Sequence, residues 1–240
     1  MPSLDERPTR LLRTRTLTPE SSTAKEHDRD DRYKILRSLS EASIISCYLA
    51  EDQFDGNRVI VREVPKSFYQ GSGFARFENE ARLTSGIRCE TYSHPLEFEV
   101  GNRILRVVYE YFPGESLASR FRRRPLSARE TMLVAQDLLL ALRSVHEIGC
   151  VHRDIRPSNI ILSEVGRAVL CGYVPLWRPD LFGHDNRLGR ECASYTSPEL
   201  SGVIDHDIGE SSDLYSLGYV LHAALTGGPA FDGEVSEILF

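Results

Sequence analysis

No apolar run in these 240 residues approaches the roughly 18 needed to cross a bilayer, and the N-terminus has no apolar centre like that of a secretory leader. Membrane insertion is therefore not expected, and the reading places the chain in the cytoplasm. An excess of positive charge is also missing: 29 Lys and Arg stand against 35 Asp and Glu, a formal charge of -6. Such a balance does not hold nucleic acid by its phosphates, so no nucleic-acid partner is predicted. Cysteine is sparse, and Cys47, Cys89, Cys150, Cys171 and Cys192 are odd in number and never spaced as C-x-x-C. That suits a reducing compartment and argues against zinc. His27, His94, His146, His184, His206 and His222 lack metal-like spacing and receive no role.

What the chain does have is 41% apolar and 27% charged residues, enough for a real core in one large or two small domains. Residues 1–31 are rich in charge, Thr, Ser and Pro, and read as a flexible tail whose RLLRTRTLT is a solvated linker. From Tyr33 to about Tyr111, short apolar runs separated by Gly, Asp and Asn (YKIL, ISCYLA, RVIVREV, LEFEV, RILRVVYEY) predict five antiparallel strands. One helical segment, GFARFENEARLTSGI, interrupts them. Beyond FPGESL the period becomes helical. SARETMLVAQDLLLALRSVHEIG opens on a capping box, Ser127 with Glu130, and stops at Gly149. SSDLYSLGYVLHAALTGG is a second clear helix. The expected class is α+β, with a sheet-rich part at 32–111 and a helical part at 112–240.

Between the two helices of the second part lies VHRDIRPSNIIL, a charged core of His152, Arg153, Asp154 and Arg156, with Asn159 beyond it, flanked by apolar ends. The order of sheet, YEYFPGESL, helix, HRDIRPSN, SPEL and SDLYSLGYVLHAALTGGPAF resembles the eukaryotic-type protein kinase domain from about residue 31 onward. The resemblance implies a bilobal fold with a five-stranded N-lobe carrying one main helix and a mainly helical C-lobe. It implies Asp154 as the base that orients a substrate hydroxyl, Asn159 as a metal ligand, and Arg156 in place of a Lys that meets the transferred phosphate. Arg62 takes the sheet lysine position and Glu80 that of the helix glutamate. Glu110 and Ile161 complete the implied nucleotide-facing set. ATP and Mg²⁺ would be the cofactors if the chain is active, and a chain without the reaction needs neither. Arg156 followed by PSN is similar to the Ser/Thr type of loop. Asp213 would brace the catalytic-loop backbone, and Glu199 would pair with an Arg from further along. The chain stops at Phe240, where the family continues, so an incomplete C-lobe is expected.

Several positions depart from the family pattern. Gly172, Tyr173 and Val174 stand where D-F-G belongs, and a glycine offers no oxygen to a hard cation. Arg62 is longer and forked where a point-like ammonium is usual. SEASIISC replaces the glycine-rich loop, with Ser40, Ala42, Ile45 and Cys47 at its named positions and Glu41 among them. Each Cβ there obstructs the close approach of backbone N–H groups to phosphate. Ile60 and Tyr109 add bulk around the base pocket, although strand packing explains each singly. These losses predict a pseudokinase that binds partner proteins. The alternative is a divergent active serine/threonine kinase with Asp180, Asp185 or Glu191 as substitute metal ligand. SEASIISCYLAED also looks like the N-terminal kinase-like domains of hybrid histidine kinases, which implies further signalling modules in a longer chain.

Overall fold

The computed structural model describes residues 13–16, 32–39, 45–68, 73–172 and 187–239. They fall into two compact units, one of residues 1–70 with 95–111 and one of residues 71–94 with 112–240.

The first unit is a sheet of β1 (Arg13–Thr16), β2 (Tyr33–Ser38), β3 (Ser46–Asp52), β4 (Arg58–Pro65), β5 (Pro95–Val100) and β6 (Ile104–Glu110), in the order β1-β5-β6-β4-β3-β2. The five strands β2 to β6 pair antiparallel, as the alternating sequence predicts. Val59, Val61 and Val108 are buried on the core side with Tyr33 and Ala50, which explains the period-two pattern of the β4 sequence. Between β3 and β4 the chain reverses at Gly56, whose φ of 71° suits a residue without Cβ and whose N–H donates to the Asp52 carbonyl at 2.7 Å. β1 differs from expectation. It lies inside the segment read as a flexible tail, yet pairs in parallel with the free edge of β5, making the sheet six-stranded.

The second unit holds α1 (Gly73–Ser85), the helix expected with the sheet, which is grouped here with the helical part. It continues through β7 (Gly114–Ser116), α2 (Leu117–Arg123), α3 (Ala128–His146), β8 (Ile160–Ser163), β9 (Ala168–Leu170), α4 (Arg187–Tyr195), α5 (Pro198–Ser201), α6 (Glu210–Thr226) and α7 (Val235–Leu239). The capping box forms as predicted: Glu130 N donates to Ser127 Oγ at 3.3 Å, and Ser127 N donates to Glu130 Oε2 at 2.7 Å. From that start α3 buries Val134, Leu138, Ala141, Leu142 and Val145 on one stripe against Leu217, Val220, Ala223 and Ala224 of α6. Each fully buried leucine contributes about 1.5–3 kcal/mol. Strands β7, β8 and β9 form a separate three-stranded sheet. Among the described residues no helix is long and apolar enough to cross a membrane.

Candidate active site

The loop from Val151 to Asn159 leaves the end of α3 and enters β8. Its backbone is fixed from below by α6: the Asp213 carboxylate, 1% exposed, accepts the N–H of His152 and that of Arg153, each at 2.8 Å. His146 Nε2, from the last turn of α3, lies 2.8 Å from the same carboxylate. These contacts hold Arg153 at a φ of 65°, a conformation that costs a non-glycine residue about 1–3 kcal/mol. The sequence offered no reason to single out His146. Its place in the last turn before the loop was the only available signal.

Three of the predicted residues come together on this loop. Asp154 Oδ1 accepts Arg156 Nε at 2.7 Å, while Asp154 Oδ2 accepts Asn159 Nδ2 at 2.7 Å. Asn159 Nδ2 also donates to the Asp154 carbonyl at 2.9 Å. The Arg156 guanidinium then reaches α4, donating to Glu191 Oε2 at 3.3 Å, and Glu191 Oε1 accepts the Ser158 N–H at 3.3 Å. Arg156 is buried, which opposes its charge, but its neighbours, Asp154 foremost with Cys192 and Glu191 after it, more than offset that and hold its pKa above the ordinary range. Beside it, burial pushes the Cys192 thiol up to about 12. Glu191, weighed as a substitute metal ligand, is thus engaged by Arg156 and the loop backbone. Asp180 and Asp185, like Ser40, Glu41, Ala42, Tyr173 and Val174, lie outside the described residues.

Gly172 sits directly beyond β9 at a φ of 83°, next to Cys171, whose N–H donates to the Asn159 carbonyl at 2.8 Å. The backbone therefore brings position 172 beside Asn159, and the side chain that would reach a cation there is missing. Among the described residues no group of three or more His, Cys, Asp or Glu could hold a metal ion. Position 172 itself offers no side-chain oxygen to a hard cation.

The other predicted residues lie on elements of both units. Glu80 on α1 accepts both ends of the Arg153 guanidinium, at 2.8 and 3.1 Å, and Arg76 Nε at 2.9 Å. Arg62 belongs to the other unit, on β4 in register with Cys47 and Val107. Ile60 and Tyr109 stand opposite one another on β4 and β6, with the Tyr109 ring 1% exposed in the core. Glu110 ends β6 opposite Val59, and Ile161 lies in β8 opposite Ser116 and Val169. Glu199 accepts the Ser212 hydroxyl. Partial burial pushes its carboxyl up, but hydrogen bonds, led by that of Ser212, outweigh this and leave it below its ordinary value.

A model of the protein kinase domain matches residues 33–239. The serine/threonine-protein kinase pkn2 of Myxococcus xanthus is 28% identical over 214 residues, covering 86% of this chain and 26% of that protein. PrkC of Bacillus subtilis is 29% identical over 210 residues, 85% of this chain and 32% of that protein. PknA of Mycobacterium tuberculosis is 28% identical over 211 residues, 85% of this chain and 48% of that protein. The chain spans less than half the length of each of these curated relatives. With the antiparallel sheet, the helical second unit and the HRDIRPSN loop carried on Asp213, the match over residues 33–239 makes this chain a member of the protein kinase domain family.

Proposed function

We propose that this chain is a protein-kinase-fold signalling domain in which phosphotransfer is impaired, and that it works in the cytoplasm by binding partner proteins as a regulator. The observation that carries the reading is Gly172, a residue without a carboxylate at the position beside Asn159 where the family holds its principal metal ligand. The closed cluster of Asp154, Arg156 and Glu191 supports it, because the cation that would meet a transferred phosphate is already satisfied by two carboxylates. In this reading His152 and Arg153 serve the fold: their backbone N–H groups anchor the loop to α6, and the Arg153 side chain ties it to α1 through Glu80.

The test is thermal unfolding of the chain with excess ATP, in the presence and absence of Mg²⁺. Nucleotide at 100 times its Kd would add about 2.7 kcal/mol, a shift of several degrees. We expect no shift, and a Mg²⁺-dependent one would sink the reading.

A second reading is a divergent active serine/threonine protein kinase that moves the ATP γ-phosphate to a protein hydroxyl. It is favoured by the meeting of Asp154, Arg156 and Asn159 on one loop and by similarity to proteins named serine/threonine-protein kinases. Here Asp154 would orient the substrate hydroxyl, and Arg156 would meet the phosphate after leaving Glu191. Phosphate transfer by the purified chain that disappears in Asp154→Asn would establish it.

A further inference from the structure

Positive charge is concentrated at one place in this acidic chain. Residues 114–130 carry five arginines, Arg120, Arg122, Arg123, Arg124 and Arg129, against Glu115 and Glu130, a formal charge of +3 where the whole chain has -6. The segment runs from β7 through α2 to the first turn of α3, all within the second unit. Glu130 gathers two of the arginines: Arg120 Nη2 and Arg124 Nη2 each donate to its Oε1 at 3.0 Å. Arg123 donates to Glu115. The Arg122 guanidinium instead meets neutral acceptors, the Ala118 carbonyl at 3.0 Å and the Ser119 hydroxyl at 3.4 Å. Arg129 is exposed beside Glu130.

The backbone under these side chains is fixed. Leu117 and Phe121 bury one side of α2, and Leu126 is buried in the turn that follows, its N–H donating to the Ala224 carbonyl of α6 at 2.7 Å. The charged ends stay in water: the Arg123 side chain is 67% exposed and that of Arg124 60%. Ion pairs so exposed contribute little, so Glu115 and Glu130 exchange readily for carboxylates of another molecule. α2 has seven residues, about 10 Å of helix, which matches three or four extended residues. That is a short footprint, and the negative charge of the remaining chain opposes a long polyanion around it.

We propose that α2 and the first turn of α3 form a docking surface for a short segment of a partner protein rich in Asp and Glu, held by Arg122, Arg123, Arg124 and Arg129. Carboxylates are the complement these guanidiniums already show, since Glu115 holds Arg123 and Glu130 holds Arg124. Such a contact forms fast and is weakened by salt. The inference names the partner's chemistry within the partner-binding reading above and rests on that reading, although none of its groups belongs to the HRDIRPSN loop.

The experiment titrates the full chain with a labelled peptide of about six alternating Asp and Glu residues. Binding is expected to weaken at least about fivefold between low and physiological salt. The triple variant Arg122→Gln, Arg123→Gln, Arg129→Gln is expected to bind at least about tenfold more weakly. A second variant, Arg82→Gln, Arg88→Gln, Arg143→Gln, removes the same charge from exposed arginines elsewhere in the second unit and should stay within about twofold of the wild type. In the wild type itself, amide shifts on adding peptide are expected at residues 119–130 and not at Val220 or Ala223, a result that does not depend on any variant folding. Equal losses in the two variants, no peptide binding, or tighter binding of a single-stranded oligonucleotide or an anionic vesicle overturns the proposal. A Mg²⁺-dependent ATP shift in the unfolding test removes the parent reading instead, so the two failures are told apart.

Discussion

Asp213 and Arg153 are joined through the backbone: the carboxylate on the first turn of α6 accepts the Arg153 N–H at 2.8 Å and so secures a residue whose φ is 65°. The second oxygen holds the His152 N–H in the same way. Asp213→Ala leaves two loop N–H groups without their acceptor, beside a strained residue, and is expected to cost about 3 kcal/mol or more. Asp213→Asn, which keeps one oxygen, should cost less. Urea unfolding midpoints of the two variants check the order, and equal losses would count against the backbone-anchoring role.

The Glu191 carboxylate ties α4 to the loop through Arg156 and the Ser158 N–H. Glu191→Gln keeps the shape but removes the charge, so Arg156 is left with Asp154 alone. A loss of about 1–2 kcal/mol is expected, with faster exchange at the Ser158 amide. If that amide exchanges as in the wild type, the contact is not holding the loop.

Gly172→Asp restores a carboxylate at the position beside Asn159. The left-handed φ of 83° makes the change cost about 1–2 kcal/mol in stability. Against that loss, the variant is expected to gain a Mg²⁺-dependent rise in Tm with ATP that the wild type lacks. No rise in either protein would show that Arg62 or the glycine-free loop is the limiting defect.

Glu130 gives a pH signature. The Ser127 N–H, then the Ser127 hydroxyl and Arg124, hold its carboxyl at about 2, below the ordinary 4.5. A carboxyl lowered in the folded state stabilises it above the unfolded value and loses that contribution as the pH falls from about 4.5 towards about 2. The Tm of the wild type should therefore drop more steeply across that window than that of Glu130→Gln. Ser127→Ala, which removes the N-cap acceptor, should cost about 1 kcal/mol at neutral pH. Parallel pH curves for wild type and Glu130→Gln would remove the capping box from the acid response.

At Gly114, with a φ of 153°, an added Cβ would stand 2.1 Å from the Leu162 carbonyl oxygen across the β7–β8 pair. Gly114→Ala must separate the two strands and is expected to cost more than about 2 kcal/mol. Thermal unfolding reads this directly, and a loss below about 0.5 kcal/mol would mean that the pair is not held this closely.

Local patterns were legible because they depend on neighbours in sequence. The alternation through RVIVREV, the Ser127 and Glu130 box and the glycine after α3 each follow from backbone geometry within a few residues. The meeting of Asp154, Arg156 and Asn159 was legible for the same reason, since a short loop cannot carry them far apart.

Partners distant in sequence were not legible in this way. Within its own unit Glu80 receives Arg153 and Arg76, neither of which its spacing from the loop singled out. His146 had no role until α3 and α6 packed and brought it to Asp213, and Glu191 had no fixed role until α4 met the loop. Arg13–Thr16 reads as linker by composition, and only its backbone pairing with β5 makes it a strand. By itself the sequence determined the five antiparallel strands, the three longest helices, the kinase-type loop and the loss of a carboxylate at Gly172, because those are properties of residue type and spacing. Which charge meets which was decided by the tertiary structure, because an arginine has several acceptors within reach of its long side chain, and burial and packing select among them.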